Sequence, residues 1–391
     1  MKDRIAARID ALAGSLDELA LQIHAHPETA YEERFAAAGL GALLRAEGHT
    51  VVAPIAGVET AFSAEVRGPT GGSGPIVAIL AEYDALPGVG HGCGHNLIGT
   101  AALGAFLGLA EVRDSLRGTV RLYGTPAEER GAGKVKLLDA GLFRDVDVAM
   151  MFHPADHDVA DPLMLALSVL HIEFRGTAAH AAAAPSMGVN ALDGLLLGWT
   201  AMSALRQLVR VDSRIHGIIT NGGQAANIIP ERAAAMIIVR AADPIYLAEL
   251  RERVLACFVG AARATGSELV HEWGETMDRV STNLPLAAAL TANAAALGRK
   301  MGPRRPGETS GSTDMGNVSS AVPSIHPFFA ITAERTPWHS HAFAAAACAP
   351  AALEAMHLAA KALAFTAVDV LTRPDLLRAA KEAHARRVTA P

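Results

Sequence analysis

Four short segments of this sequence carry side chains able to bind metal ions or move protons. The first is Gly90-His91-Gly92-Cys93-Gly94-His95-Asn96, a thiol and two imidazoles set among glycines. Glycine lets a backbone bend closely around an ion, and thiolate and imidazole are ligands for zinc and similar divalent metals. Taken alone, the pattern fits equally well a glycine-rich turn with Asn96 capping a helix and Cys93 buried. The second segment is Glu128-Glu129. Adjacent carboxylates repel unless a cation or a proton separates their roles, so one can ligate a metal while its neighbour takes a proton from a metal-activated water. A solvated loop leading to Arg130 is the plainer reading of that pair alone. The third, His153-Pro154, follows a nearly all-apolar run, where a lone histidine is more often a satisfied core residue. The fourth, Pro337-Trp338-His339-Ser340-His341, precedes a helix that Ser340 would cap.

All four fall where a strand ends or a helix begins. The run 75–81 is continuously apolar, as a strand buried on both faces should be, and ends in Glu82-Tyr83-Asp84. A strand at 119–123 leads into Glu128-Glu129, and one at 146–152 leads into His153. Helices are expected at 97–112 and 134–140 between them, after an opening helix to about residue 23 and another at 32–46. Strands alternating with helices predict a mostly parallel sheet with right-handed crossovers, and open α/β sheets bind ligands beyond the carboxyl ends of their strands. One thiolate, three imidazoles and one carboxylate from one sheet edge suffice for two ions ~3.5–4 Å apart.

The middle of the chain has another rhythm. Strands at 168–174, 214–220, 232–240 and 268–274 alternate with helices at 188–209 and 244–264 in the order βαββαβ, the ferredoxin-like unit. A helix at 284–298, a strand at 323–331 and a closing helix at 344–365 return to the first pattern. The expected organisation is α/β: a catalytic domain in two parts, 1–167 and 281–391, interrupted by an inserted domain at 168–280. The chain has 391 residues, 51% of them hydrophobic, and a formal net charge of −6, so it can bury a large core and lacks the basic surplus of a nucleic-acid-binding surface. No uninterrupted apolar run reaches the ~20 residues of a membrane helix. Three dispersed cysteines do not make a disulfide framework, and Cys257 and Cys348 fit helical apolar patterns as core fillers. The expectation is a soluble cytoplasmic protein with neither nucleic acid nor membrane as partner.

As a set, these residues resemble the dinuclear metallopeptidases and amidohydrolases that include aminoacylase, glutamate carboxypeptidase and acetylornithine deacetylase, and most of all the p-aminobenzoyl-glutamate hydrolase-like amidohydrolases. The matching pieces are His26-Pro27-Glu28, Glu82-Tyr83-Asp84-Ala85-Leu86-Pro87, Gly92-Cys93-Gly94-His95-Asn96, Pro126-Ala127-Glu128-Glu129, the segment around His180, Asn227-Ile228-Ile229-Pro230 and Gly311-Ser312-Thr313-Asp314. They run in the family's order through nearly the whole chain. The resemblance implies a zinc-peptidase-like catalytic domain with an inserted dimerisation and lid domain, and hence a homodimer. It implies two divalent ions per chain, Zn²⁺ or Mn²⁺ with Co²⁺ as a further candidate, held by Cys93, His95, Glu129, His153 and His339, with Cys93 as the bridge. Glu128 would be the general base, His180 would polarise the scissile carbonyl from the partner's chain, and Asn227 and Arg240 would hold a substrate carboxylate. Archetypal members carry a metal-binding histidine where this chain has Glu82, which leaves Asp84 as an orienting residue behind the ligands. The last motif usually has proline where this chain has His341, making His341 a rival to His339.

The reading that follows is a metal-dependent hydrolase of a small N-acyl or N-aroyl amino acid, such as aminobenzoyl-glutamate, or of a dipeptide, with a free carboxylate. Two others compete with it. A cysteine hydrolase using Cys93 and His95 would leave the acidic pair without a role, and a non-catalytic binding protein on the same scaffold would have no use for an intact Glu128-Glu129.

Overall fold

A computed structural model describes residues 1–69, 73–305, 311–332 and 335–388. The strands in chain order are β1 (Val51–Val52), β2 (Phe62–Arg67), β3 (Ile76–Ala81), β4 (Thr119–Gly124), β5 (Val148–Met150) and β6 (His153–Ala155). They continue as β7 (Ala166–Arg175), β8 (Ser213–Asn221), β9 (Arg232–Ala241), β10 (Glu268–Met277), β11 (Ser324–Ile325) and β12 (Phe328–Ala330). Two compact units result. Among the described residues, one is formed by those of 1–163, 280–305 and 313–388, the other by Met164–Arg279 together with Gly311 and Ser312.

The first unit is built on a six-stranded sheet in the order β1-β2-β4-β3-β5-β11. Its centre, β4-β3-β5-β11, is parallel, and β2 and β1 close one side antiparallel. In β3 every residue after Ile76 is buried, as its apolar run requires. The edge pair β1 and β2 is a feature that the apolar-run reading did not anticipate. In β2 only Phe62, Ala64 and Val66 turn inward while Ser63, Glu65 and Arg67 alternate outward, a half-exposed pattern.

Two expected strands divide in the structure. The apolar run 146–152 supplies β5 and then leaves the main sheet, so His153 begins a separate strand, β6, paired in parallel with β12. The run 323–331 divides in the same way into β11 and β12, with His326-Pro327 between them. Proline cannot donate to a ladder, and the His153 amide donates instead to the Pro327 carbonyl at 2.9 Å. The opening helix is likewise two, Lys2–Ala11 and Ala13–Ala25. The closing helix is also divided, into His341–Ala346 and Pro350–Thr372, and a further helix, Pro374–Val388, follows. Cys348 lies in the turn between the first two of these and is half-buried, not a helical core filler. Pro350–Thr372 has the length and composition of a membrane span, yet it packs along the almost wholly buried helix His95–Ala110 within this unit.

The second unit follows the order β7, helix Ala191–Leu205, β8, β9, helix Pro244–Thr265, β10. Its sheet order, β10-β7-β9-β8, is antiparallel throughout, the ferredoxin-like arrangement. Phe174, Leu195, Ile237, Leu250 and Phe258 form its core between helices and sheet. Fold class therefore agrees with the sequence pattern: a mostly parallel α/β unit and an inserted antiparallel βαββαβ unit.

Candidate metal centre

The loops after β3 and β4 set the geometry. After Ala81 the chain turns through Glu82, Tyr83 and Asp84, all buried. The Gly92-Cys93-Gly94 loop then enters the helix that His95 begins. Gly94 has φ +75°, and a Cβ on it would lie 2.9 Å from Pro154 Cγ. Gly92 packs so closely that a Cβ would lie 2.9 Å from Val89 Cγ1 and 3.3 Å from His339 Cα. These glycines keep Cys93 and His95 close beneath the loops that carry His153 and His339.

Asp84 ties two segments together. Its Oδ1 accepts from His95 Nδ1 at 3.0 Å, and its Oδ2 accepts from the Glu129 amide at 2.8 Å. His153 donates from Nδ1 to the Pro154 carbonyl at 2.7 Å. Each imidazole is thus anchored through Nδ1, which leaves Nε2 for a ligand, the arrangement that fixes tautomer and ring orientation at metal sites. His339, exposed and at φ +58°, is held by its own amide on the Gly92 carbonyl at 3.1 Å. Its Nε2 lies 3.5 Å from Glu129 Oε2.

Among the described residues, four groups of donor atoms converge here, and in one of them, Glu82, Glu128 and Asp314, the first and last are paired with Lys134. Those of Cys93, His95 and His153 lie within 4.8 Å of one another, as do those of Cys93, Glu129 and His339, and those of His95, Glu128 and Glu129. Cys93 belongs to two groups, and Glu128 joins a residue from each of them. Among the described residues His341 belongs to none; it opens the helix that Ser340 caps through the Phe343 amide at 3.1 Å.

Burial dominates the electrostatics. It pushes the Glu128 carboxyl well up, reinforced by the negative charges of Glu82 and Glu129. Burial also disfavours charge on His95, but Asp84, Cys93 and Glu82 outweigh it and push that imidazole well above its ordinary value. His153, with a carbonyl on Nδ1, is lowered by burial and by His95 to about 3.

Some residues of this region escaped the sequence reading. Lys134 is wholly buried, and its ammonium is paired with both Glu82 and Asp314; its amide donates to Asp314 Oδ2 at 2.8 Å. Glu82, standing where archetypal members have a metal-binding histidine, is therefore engaged by a lysine. The clue available was a lysine in the first turn of a short helix, Gly133–Asp139, that follows Gly131-Ala132. His326 is also wholly buried, has no hydrogen-bond partner on either ring nitrogen among the described residues, and stands 5.6 Å from the His153 ring.

In the second unit, His180 and Asn227 are brought together. His180 bridges Ile228, and the Ala181 amide donates to the Asn227 carbonyl at 3.0 Å. The His180 ring is exposed, and its Nδ1 accepts from the amides of Ala182 and Ala183, each at 3.2 Å. Arg240 lies on β9 and donates to Ser312 Oγ at 3.0 Å.

Residues 78–366 match the model of peptidase family M20/M25/M40. The chain belongs to this family. It is 40% identical to the Xaa-Arg dipeptidase of Mus musculus over 98% of its own length and 91% of that protein. It is 30% identical to a p-aminobenzoyl-glutamate hydrolase chain of Escherichia coli (strain K12) over 94% and 91%. Among solved structures, a dinuclear metal-binding M20 peptidase of Bacillus subtilis shares the fold with a TM-score of 0.72 at 23% identity, covering 93% of this chain and 99% of that one. This M20 protein is a hydrolase of amide bonds, which removes the reading of a non-catalytic module.

The donors of this M20 protein suit divalent ions. His95 Nε2 is buried without a hydrogen-bond partner among the described residues, and sulfur, imidazole and carboxylate together form a mixed shell of borderline softness. Burial, and then Glu129, push the Cys93 thiol well up. A neutral thiol is a poor nucleophile, whereas a coordinated thiol is deprotonated outright. The chemistry of Cys93 thus favours a ligand over a nucleophile.

Proposed function

We propose that this M20 hydrolase cleaves a small N-acyl or N-aroyl amino acid or a dipeptide with a free carboxylate, using Glu128 as general base beside two divalent ions. Cys93, His95, Glu129, His153 and His339 would hold those ions. The observation that carries the reading is the sharing of Cys93 between two donor groups, with Glu128 beside a member of each. Zn²⁺, Mn²⁺ or Co²⁺ bound there would supply Lewis acidity that polarises a carbonyl and makes a nearby water acidic.

Glu128 takes the proton of the attacking water on its carboxylate and returns it to the departing amine nitrogen. Burial raises its carboxyl above the ordinary carboxylate range, which makes it a stronger acceptor for that proton. Asp84 holds His95 and the Glu129 backbone in register while this happens. On the inserted unit, the two amides on His180 Nδ1 leave the proton of the neutral ring on Nε2, able to donate to a developing oxyanion. Asn227 and Arg240 are the proposed partners of the substrate carboxylate. A homodimer through the inserted unit, with His180 serving the partner copy, and a cytoplasmic location belong to the same proposal.

The Xaa-Arg dipeptidase and p-aminobenzoyl-glutamate hydrolase relatives place dipeptides ending in arginine and p-aminobenzoyl-glutamate at the head of a substrate screen. The test is metal analysis followed by turnover on that panel before and after chelation. The expected result is close to two ions per chain and turnover lost to chelator and restored by Zn²⁺, Mn²⁺ or Co²⁺. Full turnover in a metal-free sample refutes the reading.

A further inference from the structure

The segment that follows His26-Pro27-Glu28 has no part in the chemistry above, yet it grips the loop that carries Glu128 and Glu129. Glu33 is wholly buried. Its Oε1 accepts from the amides of Tyr31 and Ala127, both at 2.9 Å, and its Oε2 accepts from the Thr60 hydroxyl at 2.9 Å. Two residues before Glu33, the Tyr31 hydroxyl donates to the Gly131 carbonyl at 2.5 Å. The two contacts bracket the acidic pair, one before it and one after.

The bracketed loop is one that needs holding. Ala127 has φ +62° and Ala132 has φ +48°, left-handed conformations that L-residues rarely adopt and that persist only when their surroundings impose them. Tight packing fills the inside of the turn: the Gly133 amide donates to the Ala127 carbonyl at 3.3 Å, and a Cβ on Gly133 would collide with the Pro126 carbonyl oxygen. From outside, Glu33 satisfies the Ala127 amide, and Tyr31 lies so close to Gly131 that a Cβ there would be 2.5 Å from the ring.

Packing alone does not call for a carboxylate at position 33, because burying one costs free energy that an apolar side chain would avoid. What the carboxylate adds is two acceptor positions on one oxygen and a third on the other. The third leads back to the first motif: Thr60, which donates to Glu33, accepts at its carbonyl from the Tyr83 hydroxyl at 2.6 Å, and Tyr83 lies between Glu82 and Asp84. Glu33 therefore links the loop after β3 to the loop after β4.

We propose that Glu33 and Tyr31 are positioning residues that clamp the Pro126–Gly133 turn and so set the aim of Glu128 and Glu129. The proposal rests on the roles given to those two carboxylates above. Burial pushes the Glu33 carboxyl up to about 7 against the amides that favour its anion, so glutamine is a close substitute: its amide oxygen can still accept both backbone amides.

The experiment compares the full-length wild type with Glu33→Ala, Glu33→Gln, Tyr31→Phe, Ala127→Gly and the double variant Glu33→Ala/Ala127→Gly. Steady-state kinetics on p-aminobenzoyl-glutamate or an arginine-ending dipeptide, the visible spectrum of the Co²⁺-loaded proteins, and Tm are measured. A clamp predicts that Glu33→Ala loses about 10- to 100-fold in kcat with KM near wild type, since a 1 Å misplacement of a catalytic group has that scale. It also predicts a shifted Co²⁺ spectrum, as Glu129 moves, and recovery of both in Glu33→Gln. Ala127→Gly should raise Tm in the wild type by relieving the left-handed alanine, and lower it in Glu33→Ala, where the turn has relaxed. Wild-type kcat and Co²⁺ spectrum in folded Glu33→Ala, with Tm effects that simply add, overturn the clamp. If Glu33→Ala does not fold, Tyr31→Phe decides: a lower kcat and shifted spectrum support the clamp, and wild-type values for both overturn it. Glu128→Gln is run alongside. Should it keep wild-type turnover, the function proposed above fails, whereas an inactive Glu128→Gln beside a fully active Glu33→Ala sinks the clamp alone.

Discussion

Lys134 is the buried charge whose removal has the most readable consequence. Its ammonium, Glu82 and Asp314 are each 0% exposed, so Lys134→Met leaves two carboxylates facing each other without their cation. Methionine roughly preserves the volume and adapts to the gap, and the loss is therefore electrostatic. Breaking a buried ion pair by deleting one partner costs about 3–5 kcal/mol. At roughly 2–4 °C per kcal/mol for a unit of this size, Tm should fall by roughly 6–20 °C. The loss should depend on pH, with a definite sign. Burial already raises the Glu82 carboxyl above its ordinary 4.5, against the pull of Lys134, and without the lysine it must rise further. The folded variant then holds a proton that the unfolded chain has released, so its stability falls as pH rises from about 5 toward 8. Thermal unfolding of chelator-treated wild type and variant from pH 5 to 8 measures this, and the gap in Tm should narrow toward pH 5. Glu82→Gln in the Lys134→Met background should recover part of the loss. A Tm within about 2 °C of wild type at every pH would show that the three side chains do not depend on one another as charges.

Glu128→Gln should lower kcat by about 10²–10⁴-fold while metal content stays at the wild-type level; elemental analysis beside Glu129→Gln checks this, and equal metal loss in both variants would reverse the two roles. Asp84→Asn keeps its shape but turns a donor toward either His95 Nδ1 or the Glu129 amide. It should weaken metal affinity or activity about 10- to 100-fold, as losses behind a ligand typically do, and competition with a metal-sensitive dye would read it. His180→Ala should retain metal and lose most of kcat, and mixing it with Glu128→Gln should restore turnover through heterodimers carrying one intact pair of residues. Inactive mixtures, with exchange of chains verified by labelling, would place His180 in its own chain's chemistry or outside it.

Much of this molecule is written in local order. Apolar runs such as 76–81, polar loops placed immediately after them, and the change of rhythm near residue 168 follow from the periods of strand and helix and from chain connectivity. They carried the fold class, the order of the two units and the segments bearing Cys93, His95, Glu128, Glu129 and His153. The antiparallel strands β1 and β2, the division of 146–152 into β5 and β6, and the division of 323–331 into β11 and β12 depended instead on which strands found partners.

Asp84 was legible as a support for the site, but the parts played by Lys134 and Glu33 were set wholly by tertiary structure. Nothing near Lys134 in the chain shows that it lies between Glu82, 52 residues before it, and Asp314, 180 residues after it. Nor does the neighbourhood of Glu33 show that its carboxylate meets the amide of Ala127, 94 residues on. Sequence determines which groups can ligate, donate or accept, because that chemistry belongs to each side chain. Whether a carboxylate is solvated or buried against a distant amide is decided only when the chain closes those long loops, because burial and hydrogen bonding are properties of the packed whole.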